Sequence, residues 1–263
     1  MVDIITYGAN YFVSGLKILA VRNRAGLRKW NVIESVFFIL LVLVTGYILL
    51  RSPLFEVKRV VVQGNQYLSE EKIRSVVNIG MGTNIFKLDL ATASSNLKLL
   101  PMIKEVDITR YLPSSVVISI KERNPIGLLP TKDGFIEVDE EGVYLMKANA
   151  GIPGLPVITG VQADISGPGQ PVRAERLENA LAVLSGLPRE AVMNLSEVNV
   201  DGNRQIIIYT IEGIQCRFGL AADIQEKGEV LSQLLLELRK QGAKVRYIDL
   251  SSADQPVVSY KKN

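Results

Sequence analysis

Hydrophobic and polar positions change their spacing along this chain, and each change predicts a different element. Residues 36–50 read VFFILLVLVTGYILL, fifteen positions without a charge. With 31–35 in front, the run reaches twenty residues and holds only Glu34 near its start. About 20 residues at ~1.5 Å each make a helix of about 30 Å, the hydrocarbon thickness of a bilayer. The run is apolar on every face, as lipid demands and a small soluble core does not. Trp30 and Tyr47 stand near its ends, where aromatic rings favour the interface.

Beyond residue 51 the periods shorten. Residues 55–62 (FEVKRVVV) are rich in β-branched side chains and predict a strand that ends at the turn pair Gly64-Asn65. Ser69 is a good N-cap, and Glu70 and Glu71 put carboxylates in the first turn, where the helix dipole favours them. Ile73, Val76 and Val77 give that helix its apolar stripe, and Gly80 and Gly82 break it. A second helix is predicted over 89–99, with Leu90, Ala93, Leu97 and Leu100 on one side and Pro101 after it. Residues 103–111 then alternate, Ile103, Glu105 and Asp107 against Lys104, Val106 and Ile108. Pro113-Ser114 turns the chain, and 116–121 return as a strand with Val116, Ile118 and Ile120 on one face. The order β-α-α-β-β over 54–123 predicts one small sheet covered by two helices.

Residues 122–125 read as a hinge into a second domain, 124–263. There, 135–138 and 143–146 flank Asp139-Glu140-Glu141-Gly142, a hairpin signal with a solvated acidic tip. These adjacent acids lack the alternating spacing of a calcium loop. Residues 151–171 are rich in Gly and Pro and predict a surface loop, and 173–187 predict an amphipathic helix. Strands are expected over 195–200, 205–211 and 214–218, with Cys216 as a small core residue. A long helix over 221–241 carries an inward stripe of Ile224, Leu231, Leu234, Leu235 and Leu238, with Lys227, Arg239 and Lys240 turned to water. Two strands close the chain, 245–250 and 257–260, with Pro256 between them. The fold class is therefore α+β: a single N-terminal transmembrane helix, a β-α-α-β-β domain, and a mixed, mostly antiparallel β-domain with flanking helices.

Charge fixes the expected orientation. Residues 1–30 carry Lys17, Arg22, Arg24, Arg28 and Lys29 against Asp3, whereas the remainder holds 25 basic and 26 acidic residues. The positive-inside rule then puts 1–30 in the cytoplasm, 31–50 across the membrane and the rest outside. The bulky residues after the span argue against cleavage by a signal peptidase. The near-neutral body has no excess charge with which to hold a phosphate backbone, so no nucleic acid is expected. The chain of 263 residues has no histidine and one cysteine, which removes Ser-His and Cys-His triads, most zinc sites and any internal disulfide. No SxxK with an SDN or KTG partner, no GxSxG and no glycine-rich phosphate loop with lysine occurs, so no catalytic residue, cofactor, metal or small-molecule substrate is expected.

The runs FEVKRVVVQGN, TNIFKLDL and LLPMIKEVDITRYLPSSVVISIKERNPIG resemble a POTRA domain, and in particular that of the FtsQ/DivIB cell-division family. Phe55, Val57, Gly64-Asn65, Asn84-Ile85-Phe86, Pro101, Val106, Arg110, Pro113, Glu122, Arg123 and Pro125 carry the likeness. LPVITG, the Lys227 helix and the YIDL ending extend it into the second domain, although Ser251 stands where the family often has arginine. The resemblance implies a non-enzymatic scaffold at the division septum. It implies that the C-terminal end receives FtsB/DivIC-like and FtsL-like partners, with other septal membrane proteins as further contacts. A strand near the C-terminus tends to finish at a sheet edge, whose unpaired amides and carbonyls template another chain. The candidate partner-binding residues are Tyr247, Ile248, Asp249, Leu250, Ser251, Val257, Val258, Ser259 and Tyr260. A POTRA-bearing secretion or outer-membrane assembly factor is the alternative, and it would carry several POTRA copies or a β-barrel. A cell-wall enzyme is the remote one.

Overall fold

The structure is a computed structural model that describes residues 32–261. The expected cytoplasmic tail, 1–30, and the first residue of the predicted span lie outside the described residues. Two units meet between Pro53 and Leu54. The first contains helix α1, Val32–Leu50, which buries none of its side chains and is long and apolar enough to cross a membrane.

The second unit begins with a sheet of three strands, β1 (Arg59–Gln63), β2 (Ile103–Tyr111) and β3 (Ser115–Glu122), in the order β1-β3-β2. β1 runs parallel to β3, and β2 antiparallel. Two helices cover it, α2 (Glu70–Val77) and α3 (Leu90–Lys98). Ser69 and Asp89 cap them, accepting from the amides of Lys72 and Thr92. Ile73, Val77, Ala93 and Leu97 meet Val116, Ile118 and Ile120 in one core. The expected alternation of β2 breaks at its start. A bulge between Ile103 and Glu105 turns Ile103 inward with the residues of the other parity. β1 also starts later than expected, because Phe55 lies in a 3-10 turn and Val57 is tied to the segment between the helices. At Gly64 only glycine fits: φ is +85°, and an added Cβ would lie 2.0 Å from the carbonyl oxygen of Ile120.

The larger sheet has nine strands. They are β4 (Pro125–Thr131), β5 (Gly134–Asp139), β6 (Tyr144–Ala148), β7 (Val157–Thr159), β10 (Leu195–Val200), β11 (Ile206–Thr210), β12 (Gln215–Gly219), β13 (Val245–Asp249) and β14 (Val257–Tyr260). A separate short ribbon pairs β8 (Ala163–Asp164) with β9 (Arg173–Ala174). The order is β14-β13-β12-β11-β10-β7-β4-β5-β6, with five antiparallel and three parallel pairings, hence mixed and mostly antiparallel. Helices α4 (Leu177–Gly186) and α6 (Ile224–Gln241) pack on one face through Leu181, Leu184, Leu231 and Leu235, and the short α5 (Arg189–Val192) joins α6.

Four local expectations are corrected. The Gly/Pro-rich stretch 151–171 is not wholly a surface loop, because β7 runs from it between β10 and β4 with Ile158 fully buried. The predicted helix over 173–187 begins only at Leu177, since Arg173 and Ala174 form β9. Asp139 is not a solvated tip residue: it is 1% exposed and paired with Arg123. Lys227 does not face water either. It is 3% exposed, and its Nζ donates to the carbonyl oxygens of Phe218 at 3.0 Å and Leu220 at 3.4 Å, beside the Phe218 ring. Gly228 beside it lets the helix approach closely, as a Cβ there would meet Pro188 at 2.6 Å.

The residues expected to form a hinge are instead tied down. The carboxylate of Glu122 accepts from the amides of Gln66, Tyr67 and Leu68, at 3.0, 2.6 and 3.0 Å. Arg123 Nη1 donates to Asp139 Oδ2 at 2.5 Å and to Glu141 Oε2 at 2.7 Å. Lys104 Nζ reaches Glu140 and Glu141 at 2.9 Å each. Beneath these charges Met102 packs with Val143 and Leu145, and Leu68 adjoins them. Hydrogen bonds from Arg123 and Lys104 hold the Glu141 carboxyl down at about 2.

Candidate functional site

The last two strands and their neighbour β12 build the candidate site. Cys216 and Phe218 of β12 point into the core, which leaves Arg217 on the open face. β13 runs parallel to β12, with Gln215 beside Tyr247, Cys216 beside Ile248 and Arg217 beside Asp249. β14 folds back antiparallel on β13, with Ser259 beside Tyr247, Val258 beside Ile248 and Val257 beside Asp249. A polar cluster forms on the open face. The Arg217 guanidinium lies 4.7 Å from the centroid of the Tyr247 ring and 4.0 Å from Asp249 Oδ2. Asp249 Oδ1 accepts from the Ser251 hydroxyl at 2.7 Å and the Ser251 amide at 3.0 Å. These two bonds, with Arg217 behind them, hold the Asp249 carboxyl below its ordinary value. Burial pushes the Cys216 thiol up to about 12, so it is chemically quiet.

The sequence treats 245–250 and 257–260 as equal edge candidates, but the sheet does not. β13 is bonded on both sides, and Ile248 and Leu250 are wholly buried. Their side chains are core, not contact surface. β14 is the outermost strand, and among the described residues no strand lies beyond it. Val258 packs partly on the core, while Val257 and Tyr260 are exposed. Lys261 N–H donates to the Lys244 carbonyl, so the backbone groups at 261, 259 and 257 turn toward β13. By alternation the amides and carbonyls of Val258 and Tyr260 turn outward. Pro256, of the same parity, lacks the amide that would have extended this row.

Of the nine candidate residues, the structure thus brings Tyr247, Asp249 and Ser251 together on the open face and puts 257–260 at the edge. Sequence reading missed Arg217, the cation that completes the cluster. Its signal was available in the alternation of QCRFG, where a lone charge sits between two core residues. It also stands on the same face as Asp249.

Comparison with known proteins bears on the second unit as far as residue 251. Residues 55–123 match the family described as POTRA domain, FtsQ-type. Residues 127–251 match the family described as cell division protein FtsQ/DivIB, C-terminal. A cell division protein FtsQ of Syntrophotalea carbinolica is 28% identical over 218 residues, which cover 81% of this chain and 77% of that protein. A cell division protein DivIB of Clostridium botulinum is 27% identical over 234 residues, covering 86% and 90%. The major extracytoplasmic domain of DivIB from Geobacillus stearothermophilus is a solved structure that aligns with 45% of this chain and 92% of its own, at 16% identity and a TM-score of 0.33.

Proposed function

This chain belongs to the FtsQ/DivIB family of cell-division proteins, and from that premise we propose that it is a non-enzymatic, single-pass scaffold that links septal proteins. Residues 1–30 form the cytoplasmic tail and 31–50 the anchor. Residues 54–123 form a POTRA domain outside the membrane and 124–263 a β-domain beyond it, at the division septum. The β-domain receives an FtsB/DivIC-like protein, held with an FtsL-like one, which adds a strand alongside β14.

The observation that carries this reading is the free outer edge of β14. A partner strand meets the outward amides and carbonyls of Val258 and Tyr260, which supply affinity without regard to sequence. Tyr260, Val257 and the Tyr247–Arg217–Asp249 cluster supply selection, since aromatic and arginine side chains are enriched at binding hot spots. Ile248 and Leu250 support the edge from beneath.

Proline substitution tests the mode. Tyr260→Pro removes an outward amide, whereas Tyr260→Ala keeps it and removes only the ring. Under strand addition, Tyr260→Pro captures less co-expressed FtsB-like partner than Tyr260→Ala, with unfolding midpoints alike. Equal capture by both variants and the wild type would move the interface elsewhere.

A further inference from the structure

The near end of the POTRA sheet carries an apolar tip that none of the strand-addition chemistry uses. Three segments meet there. The first is the entry, where the Phe55 and Phe86 rings meet at a tilt, with centroids 5.2 Å apart. The second is the stretch between α2 and α3, bonded to the entry from Gly82 N–H to the Val57 carbonyl and from Val57 N–H to the Thr83 carbonyl. The third is the turn between β2 and β3, whose Ser114 carbonyl accepts from the amide of Lys58. Arg110, at the end of β2, clamps the second segment by donating to the carbonyls of Ile85 and Leu88, at 2.9 and 2.7 Å.

Large apolar side chains project from this end. Met81 is 61% exposed, Tyr111 60% and Leu112 59%, and Leu54 and Phe86 are exposed too. Isolated exposed hydrophobics need no explanation, but a group gathered on three mutually bonded segments does. Their place in the chain identifies the occupant. Leu54 follows Leu50, the last residue of α1, by four residues, which span at most about 14 Å when fully extended. The tip is therefore the end of the domain at which the chain enters from the span, whatever angle the helix takes. Lys58 and Lys87 flank the tip and suit lipid phosphates, and tyrosine suits the headgroup layer.

We propose that this tip, with Met81, Phe86, Tyr111 and Leu112 at its front, seats on the lipid–water interface and docks the POTRA domain on the membrane. The inference rests on reading α1 as membrane-spanning.

Labelling of the full chain tests it. Single cysteines are introduced by Met81→Cys or Leu112→Cys, with Leu43→Cys in the anchor and Leu236→Cys, an exposed position of α6, as references. The native Cys216 is buried and its thiol pushed up to about 12, so it stays unlabelled. Each variant carries an environment-sensitive fluorophore in phosphatidylethanolamine–phosphatidylglycerol vesicles. Seating gives blue-shifted emission at 81 and 112 and quenching by spin-labelled lipid, with neither effect at 236. Labels at 81 and 112 as wet as that at 236, with 43 embedded, would overturn the seating and leave the anchor standing. A wet label at 43 would remove the anchor reading and the seating with it.

Discussion

Lys227 shows how one residue can look like surface and act as core. Its ammonium is buried on two carbonyls of the segment that leaves β12. That segment includes Gly219, where an added Cβ would lie 3.3 Å from the Cα of Ser251, so it adjoins the end of β13. Lys227→Ala strands the buried Phe218 carbonyl, releases that of Leu220 and opens a cavity, and the expected cost is about 2–4 kcal/mol. A lowered urea midpoint for the purified protein checks this, and an unchanged midpoint would contradict it. Spacing alone could not reveal the burial. On the sequence, Lys227 falls among polar neighbours of α6, and only the fold brings the β12 carbonyls beneath it. Arg217 is the converse case: its open-face position follows from alternation, but its partners Tyr247 and Asp249 lie thirty or more residues ahead in sequence.

Among elements, those with strong period and caps were legible and those defined by long-range pairing were not. α2, α3 and the strands β3, β10 and β11 follow from the Ser69 cap, the helical stripes and apolar runs between turn signals, and β2 does so only beyond its bulge. β7 is three residues inside a Gly/Pro-rich stretch, and it is a strand only because β4 and β10 flank it. The choice between β13 and β14 as edge likewise depends on β12, which pairs β13 in parallel across the intervening helix. The segment 122–125 has the composition of a hinge, but Arg123 turns it into a clasp. Arg123→Ala leaves Asp139 buried without its cation, at an expected cost of up to about 3 kcal/mol. Faster hydrogen exchange at Met102 and Val143 checks it. Acid should act on the same joint. Glu141 titrates at about 2 in the folded protein, below an ordinary glutamate at ~4.3. Its contribution is therefore complete above the ordinary value and disappears as pH falls through about 2. Thermal melts between pH 5 and pH 2 should show that loss in the wild type and less of it in Arg123→Ala.

At the scale of the molecule, the asymmetry of charge supports the proposed direction. The five cations among residues 1–30 precede a span that the body, with 25 basic and 26 acidic residues, gives no reason to invert. A reporter active only outside the cytoplasm should work when fused after Asn263 and fail when fused before Trp30; the opposite pattern would reverse the topology. On the proposed reading, a body anchored near residue 50 and gripped at β14 would be a tie between two moving parties. Tension drawn through it crosses the sheet strand by strand, and the narrowest seam is β7. That strand meets β4 in a single register pair, Leu128 with Val157, and α4 bridges the gap as a splint, packing on both β4 and β10. Under that reading, the pull of a constricting envelope would bear on this stitch, between six strands on one side and three on the other.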